Sequence, residues 1–283
     1  MSDKNNKKEI AIDFGPRDAT EKEEKKTLLT KPKEQESESN YMELIKKCLA
    51  EFMGTMFLCL TVALSVGMGR ENAPLAIGLS LGCLVFALGH ISGANFNPAV
   101  SLAIAIRGRM DAMTAAAYML SQLAGGFLGA GVARFVVEDW CKDDDGTIVT
   151  MMLDGAEIAR SCISGYPSPD PNVNGFTAFL VEMIFTMGLA LVVLNVAVSD
   201  ANAGNSFYGL AIGLTVTFGA IAGGGVSGGA FNPAVGLALP LIHGVTEDIA
   251  LYLFGPLIGG ALAALFFMLT AKRSEFMEKD KNE

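Results

Sequence analysis

Ser92-Gly-Ala-Asn-Phe-Asn-Pro-Ala-Val-Ser-Leu-Ala-Ile104 returns 135 residues later as Ser227-Gly-Gly-Ala-Phe-Asn-Pro-Ala-Val-Gly-Leu-Ala-Leu239, with nine of the thirteen positions identical. In each copy an Asn (Asn97, Asn232) stands where a helix N-cap belongs. A Pro (Pro98, Pro233) occupies the first helical position, and Ala99 or Ala234 opens an apolar run. Two short helices are predicted. After Pro98 the apolar run ends at Ile106, before Arg107. At about 1.5 Å per residue it covers about 14 Å, half of a hydrocarbon core of about 30 Å. Neither helix crosses a membrane alone. A helix that begins inside a bilayer leaves N–H groups that only protein or a water-filled cavity can receive, so two such starts predict an aqueous path. The plainer alternative is a tandem duplication with capped helices in an ordinary membrane bundle.

Composition agrees with a membrane protein. The 283 residues are 51% hydrophobic, with mean hydropathy +0.40 and long apolar runs that a soluble domain would not carry. The net charge of -9 comes mainly from the ends and one loop, so it describes solvated segments and gives no support to a nucleic-acid partner. The polar first forty residues argue against a cleavable signal peptide. Residues 1–44 read as a disordered cytoplasmic tail. Within it Glu24-Lys-Lys-Thr-Leu-Leu29 fits an acidic di-leucine sorting pattern, and Thr27, Thr30, Ser37 and Ser39 are candidate phosphorylation sites.

Apolar segments follow at roughly 48–68, 74–91, 113–137, 176–198, 207–222 and 249–271. Six spans put both termini on one side. Lys46, Lys47, Arg107, Arg109, Lys272 and Arg273 fall on that side, which the positive-inside rule makes cytoplasmic. The loop 138–174, with Asp143-Asp144-Asp145, is then extracytoplasmic and reads most simply as a solvated surface. Cys141 and Cys162 flank it and can pair if it faces an oxidising compartment. Residues 272–283 form a second cytoplasmic tail.

The repeat extends past the opening motif. Leu75-Ala-Ile-Gly-Leu-Ser80 matches Leu210-Ala-Ile-Gly-Leu-Thr215, Tyr118 and Gly125-Gly126 match Tyr252 and Gly259-Gly260, and Glu51-Phe-Met-Gly-Thr55 echoes Glu182-Met-Ile-Phe-Thr186. The channel domain is therefore one duplication over 45–271, with halves at about 45–137 and 175–271. Three spans per half, an odd number, require the second copy to insert upside down. Inversion brings the two half-helices in from opposite faces, so that Asn97 and Asn232 meet near the midplane. Each amide can donate to a solute oxygen, backed by the partial positive charge of a helix N-terminus that repels cations. A water held by both amides turns its hydrogens outward, which interrupts a proton wire. Gly54, Gly78, Gly82, Gly125, Gly126, Gly129, Gly213, Gly259 and Gly260 read as close-packing positions. Glu51 and Glu182 require partners inside the membrane, either a coupling ion or, as their symmetry favours, N–H groups of the re-entrant segments. His90 reads first as a structural residue and second as a protonation gate.

The paired Asn-Pro-Ala motifs, six spans, inverted repeat, Gly89-His90-Ile91-Ser92-Gly93 and an intramembrane Glu in each half resemble the aquaporin family over about residues 45–271. That resemblance implies an all-α membrane fold, a right-handed bundle of six transmembrane helices with two re-entrant half-helices. It also implies a pore within each protomer and a homotetramer in the lipid. Counting from each Asn, it assigns the outer selectivity filter to Ile77, Ala220, Gly229 and Val235. Water-selective members have an aromatic, a His and an Arg there; this chain departs at all of these positions, and the aperture is expected to be wider and more apolar. Glycerol-conducting members typically carry Asp after the Arg and a long following insertion, whereas here Gly236 follows Val235, the linker to Asp248 is short, and Tyr252-Leu253 mixes the two habits. The expected function is passive conduction of water and small uncharged solutes such as glycerol, urea or ammonia, in a plasma or internal vesicle or vacuole membrane. The alternatives are a strictly water-selective channel, a poorly conducting junctional protein and, from another class, a secondary transporter. No metal-ligand spacing, nucleophile with its base, or phosphate-cradling loop is found, so neither a cofactor nor an enzymatic activity is expected.

Overall fold

The computed structural model describes residues 33–140, 150–153, 156–159 and 165–276. Its helices are α1 (Lys33–Gly67), α2 (Ala73–Ser92), α3 (Pro98–Ile106), α4 (Ala112–Trp140), α5 (Gly175–Val193), α6 (Tyr208–Ser227), α7 (Pro233–Ile242) and α8 (Ile249–Thr270). Six of them are long and apolar enough to cross a membrane: α1 from Asn40, α2, α4, α5 continued to Val198, α6 and α8. The nine residues of α3 and ten of α7 are the two half-helices.

Two features depart from the sequence reading. Helix α1 starts at Lys33, ahead of the position where composition predicts the tail to end, because its Lys, Glu and Gln residues favour helix even without apolar surface to bury. The 138–174 loop carries an antiparallel hairpin, β1 (Thr150–Leu153) with β2 (Ala156–Ala159), in which Thr150 faces Ala159 and Leu153 faces Ala156. Cys141, Cys162, the Asp143–Asp145 run, the di-leucine pattern, Thr27 and Thr30 lie outside the described residues, as do the side chains of Ser37 and Ser39.

The glycines explain how the spans approach. A Cβ on Gly125 would lie 2.1 Å from the Phe52 carbonyl oxygen of α1, and one on Gly259 would lie 2.2 Å from that of Met183 in α5. Each thus seats the third span of a repeat on its first. The glycines beside them look the other way: Gly126 lies against Ala234 of α7, and Gly260 against Ala99 of α3. Each half-helix therefore packs on the third span of the opposite repeat, which interlocks the halves. Gly78 and Gly213 face each other's carbonyls where α2 crosses α6. Between apolar helices in lipid no hydrophobic force selects a neighbour, so such close backbone approach carries the association.

Helices α2 and α6 end alike, at Gly93 (φ 89°) and Gly228 (φ 90°), in the left-handed conformation that glycine tolerates. The chain then turns back through Ala94, Phe96 and Phe231, all at positive φ, into α3 and α7. Left-handed backbone at a non-glycine residue is strained and persists only where surrounding contacts over-determine it.

Candidate conduction pathway

Glu51 and Glu182 supply those contacts. Both are fully buried. Glu51 Oε1 accepts from Ser92 Oγ (2.6 Å) and Asn95 N (3.0 Å), while Oε2 accepts from Phe96 N (2.7 Å) and Gln122 Nε2 (2.8 Å). Glu182 repeats the arrangement with Ser227 Oγ (2.7 Å) and Ala230 N (2.9 Å) on Oε1 and Phe231 N (2.6 Å) on Oε2. Backbone N–H groups that no helix can satisfy are thus received by a carboxylate, the costliest acceptor to bury and the one that can take several donors at once. Tyr118 and Tyr252 add hydroxyls to the Ser92 and Ser227 carbonyls. His90, exposed in the last turn of α2, makes no side-chain hydrogen bond among the described residues, so the bracing it is predicted to share falls to these groups.

The segments braced in this way aim α3 and α7 at each other. Asn97 and Asn232 are the N-caps, both extended (φ -152° and -156°), with Oδ1 accepting from Ala99 N and Ala234 N at 2.9 Å and Pro98 and Pro233 following. That cap identifies the oxygen and leaves Nδ2 as donor. Asn97 Nδ2 donates to the Phe231 carbonyl (2.9 Å) and Asn232 Nδ2 to the Phe96 carbonyl (2.8 Å). Each amide therefore spends one hydrogen on the opposite repeat and has a second without a partner among the described residues. Sequence reasoning predicted the caps, but not this reciprocal brace.

Both Asn line one cavity of about 180 Å³, far more than the roughly 10–15 Å³ that one water needs. The four predicted filter residues all line it too. Ile77 and Val235 are buried at its wall, Ala220 contributes a methyl, and Gly229 takes φ 67°. Apart from Asn95, Asn97, Asn232 and Tyr166, the lining side chains among the described residues are apolar, and none of these is an acid, a Lys, an Arg or a His. Tyr166 enters from the 138–174 loop. Gly165 beside it packs on the Ala63 carbonyl, and Gly228 packs on Pro167 and Ser168, which holds the aromatic at the cavity. Nothing in the local sequence distinguishes that tyrosine from an ordinary loop residue.

Cations stand at the far ends of the half-helices, where the macrodipole favours them. Arg107 is the C-cap residue of α3, and Arg134 Nη1 donates to the Ile242 carbonyl that closes α7. Each guanidinium is also ion-paired, Arg107 with Glu275 and Arg134 with Glu138, while the N-terminal ends of the half-helices meet at the Asn pair.

The sequence profile described as "Major intrinsic protein" matches residues 38–267. The chain is 32% identical to Nodulin-26 of Glycine max over 228 residues, covering 78% of this chain and 76% of that one. It is likewise 32% identical to Aquaporin-8 of Rattus norvegicus over 238 residues, covering 81% and 82%. In fold it is similar to the X-ray structure of the aquaglyceroporin from Plasmodium falciparum, with TM-score 0.65 and 22% identity over 79% of this chain and 95% of that one. A profile match that reaches into all six membrane helices and covers both Asn-capped half-helices makes the chain a member of the major intrinsic protein family, a multi-pass transmembrane channel and not an enzyme.

Proposed function

We propose that this channel passes water and small uncharged solutes of glycerol, urea or ammonia size, and excludes protons and ions at the Asn97–Asn232 pair. The observation that carries the reading is the cavity wall itself. At the four proposed filter positions stand Ile77, Ala220, Gly229 and Val235, and among the described residues the lining offers no charged group to grip a water or reject a larger neutral molecule. The two Asn amides remain as convergent donors, each at the positive end of a half-helix dipole. An oxygen-bearing solute finds donors there, and a cation finds an opposing field.

Glu51 and Glu182 act as struts in this reading and bind no coupling ion, because each carboxylate already accepts from the loop it supports. The protein works as a homotetramer with a pore in each protomer and both termini cytoplasmic, consistent with the side on which Lys46, Lys47, Arg107, Arg109, Lys272 and Arg273 fall. The channel domain is residues 45–271.

The test is stopped-flow light scattering on reconstituted vesicles with empty vesicles alongside. Fast shrinkage in an impermeant osmolyte followed by protein-dependent reswelling in glycerol or urea is expected. Shrinkage without reswelling would make this a strictly water-selective channel, and no protein-dependent shrinkage would make it a poorly conducting member.

A further inference from the structure

Most glycines in the spans have a neighbour that excludes a side chain. On α6 a Cβ at Gly219 would stand 3.0 Å from the Phe231 ring, and one at Gly223 would stand 2.9 Å from Val181 and Phe185. Gly224 differs. A Cβ there would meet nothing within 4 Å, and its φ is not in the left-handed region, so neither packing nor backbone conformation asks for glycine. Gly224 stands in the last turn of α6, where its carbonyl accepts the Gly228 N–H, a bond that any residue's backbone can make, and inside a helix glycine is a poor residue, which leaves its presence unexplained by the fold. Gly131, Gly188 and Gly225 also face open space, but Gly224 alone among these lines the cavity.

Its position gives it a task. Gly224 lies one helical turn beyond Ala220 on the same face of α6, toward the second re-entrant segment. A Cβ on Gly229 would come within 3.1 Å of its Cα, so the two bare backbones stand side by side. Both belong to the cavity wall that holds Ile77 and Val235, and the amides of Asn97 and Asn232 stand in the same lining.

We propose that Gly224 is a specificity-determining residue of the pore: its missing side chain is the space through which a neutral solute wider than water, of glycerol or urea size, passes the filter. This inference rests on the proposed solute range and extends it to a position outside the four filter residues. Enlarging residue 224 closes the pore to the solute before it closes it to water, because a file of single waters needs less width.

The experiment compares wild type with Gly224→Ala, Gly224→Val and Gly224→Leu in vesicles, reading water permeability from shrinkage and glycerol and urea permeability from reswelling. Gly225→Leu is the matched control, since it makes the same change one residue on, at a position that also faces open space but does not line the cavity. The ratio of solute to water permeability is expected to fall stepwise through the series, by about tenfold or more at leucine, with the control at the wild-type ratio. A ratio that stays flat through the graded series overturns the role of Gly224 while leaving the solute range intact. A wild-type protein that shrinks vesicles but never lets them reswell overturns both.

Discussion

Arg107 and Glu275, 168 residues apart, form a buried ion pair, with Arg107 Nη2 donating to Glu275 Oε2 at 2.9 Å and both side chains 3% exposed. The guanidinium stands over the rings of Phe267 and Phe276, 5.1 and 4.7 Å from their centroids. Glu275 also accepts from Ser199 Oγ (2.6 Å) and from the backbone N–H of Ala201 (3.0 Å). The turn Arg273–Phe276 thereby ties the end of α3 to the loop between α5 and α6. The sequence reading left both residues in solvated segments; the clasp exists only in three dimensions.

That clasp gives the protein an acid-sensitive joint. Burial opposes the Glu275 charge, but hydrogen bonds from Ser199, Ala201, Asp200 and Arg107 outweigh it and hold the carboxyl at about 2, below its ordinary 4.5. A carboxyl held low in the folded state contributes stability above its unfolded value, and that stability disappears as pH falls from about 4.5 through about 2. Thermal unfolding in detergent is expected to show this loss in the wild type and a weaker one in Glu275→Gln. At neutral pH the variant is destabilised by about 3 kcal/mol, because Arg107 stays buried without its counter-charge. An unchanged neutral-pH midpoint would remove the clasp from the account.

Glu182→Gln separates a strut from an ion-coupling site. The amide brings a donor to face Ala230 N or Phe231 N, which leaves one buried N–H unpaired at a cost of about 1–3 kcal/mol. Lower thermal stability is expected, with water flux per folded protein close to wild type and indifferent to sodium or proton gradients. Flux that depends on a gradient in the wild type and loses that dependence in the variant would turn Glu182 into a transport site.

Val235→Arg places a cation at the proposed filter. Val235 is 3% exposed and lines the cavity, so a guanidinium there must sit in the pore and occupy the width that a larger solute needs. Glycerol reswelling is expected to fall by about tenfold or more while water shrinkage persists. If solute permeability stays the same, position 235 is not part of the filter.

Glycine-to-alanine exchanges test the close seating of the third span of a repeat on its first. Gly259→Ala drives a methyl to within 2.2 Å of the Met183 carbonyl oxygen, and separating α8 from α5 to relieve it is expected to cost about 1–3 kcal/mol. Gly131→Ala, with open space around it, is expected to be neutral or stabilising by up to about 1 kcal/mol, since alanine loses less backbone entropy in a helix. Unfolding midpoints of the two variants measured side by side check the difference.

The sequence by itself determined the membrane class, the six spans, the two half-helices and their inversion, because each is written locally. Apolar length reports span number, Asn-Pro reports a helix start, and identical segments at a constant offset report a repeat. Counting along the aquaporin resemblance proposes four filter positions, and the residues there line the cavity. What only the tertiary structure decided are pairings that no local pattern encodes. Asn97 on the Phe231 carbonyl and Asn232 on the Phe96 carbonyl require two loops from opposite repeats to be turned toward each other by strained backbone. Tyr166 enters the cavity because two glycines hold its loop, and Arg107 finds Glu275 because α8 delivers the chain end beside α3. Gly224 reads in the chain like any other small residue of a membrane helix. The physical reason is common to all of these: a side chain's partner, or the space left by its absence, is set by distant segments once the helices have packed.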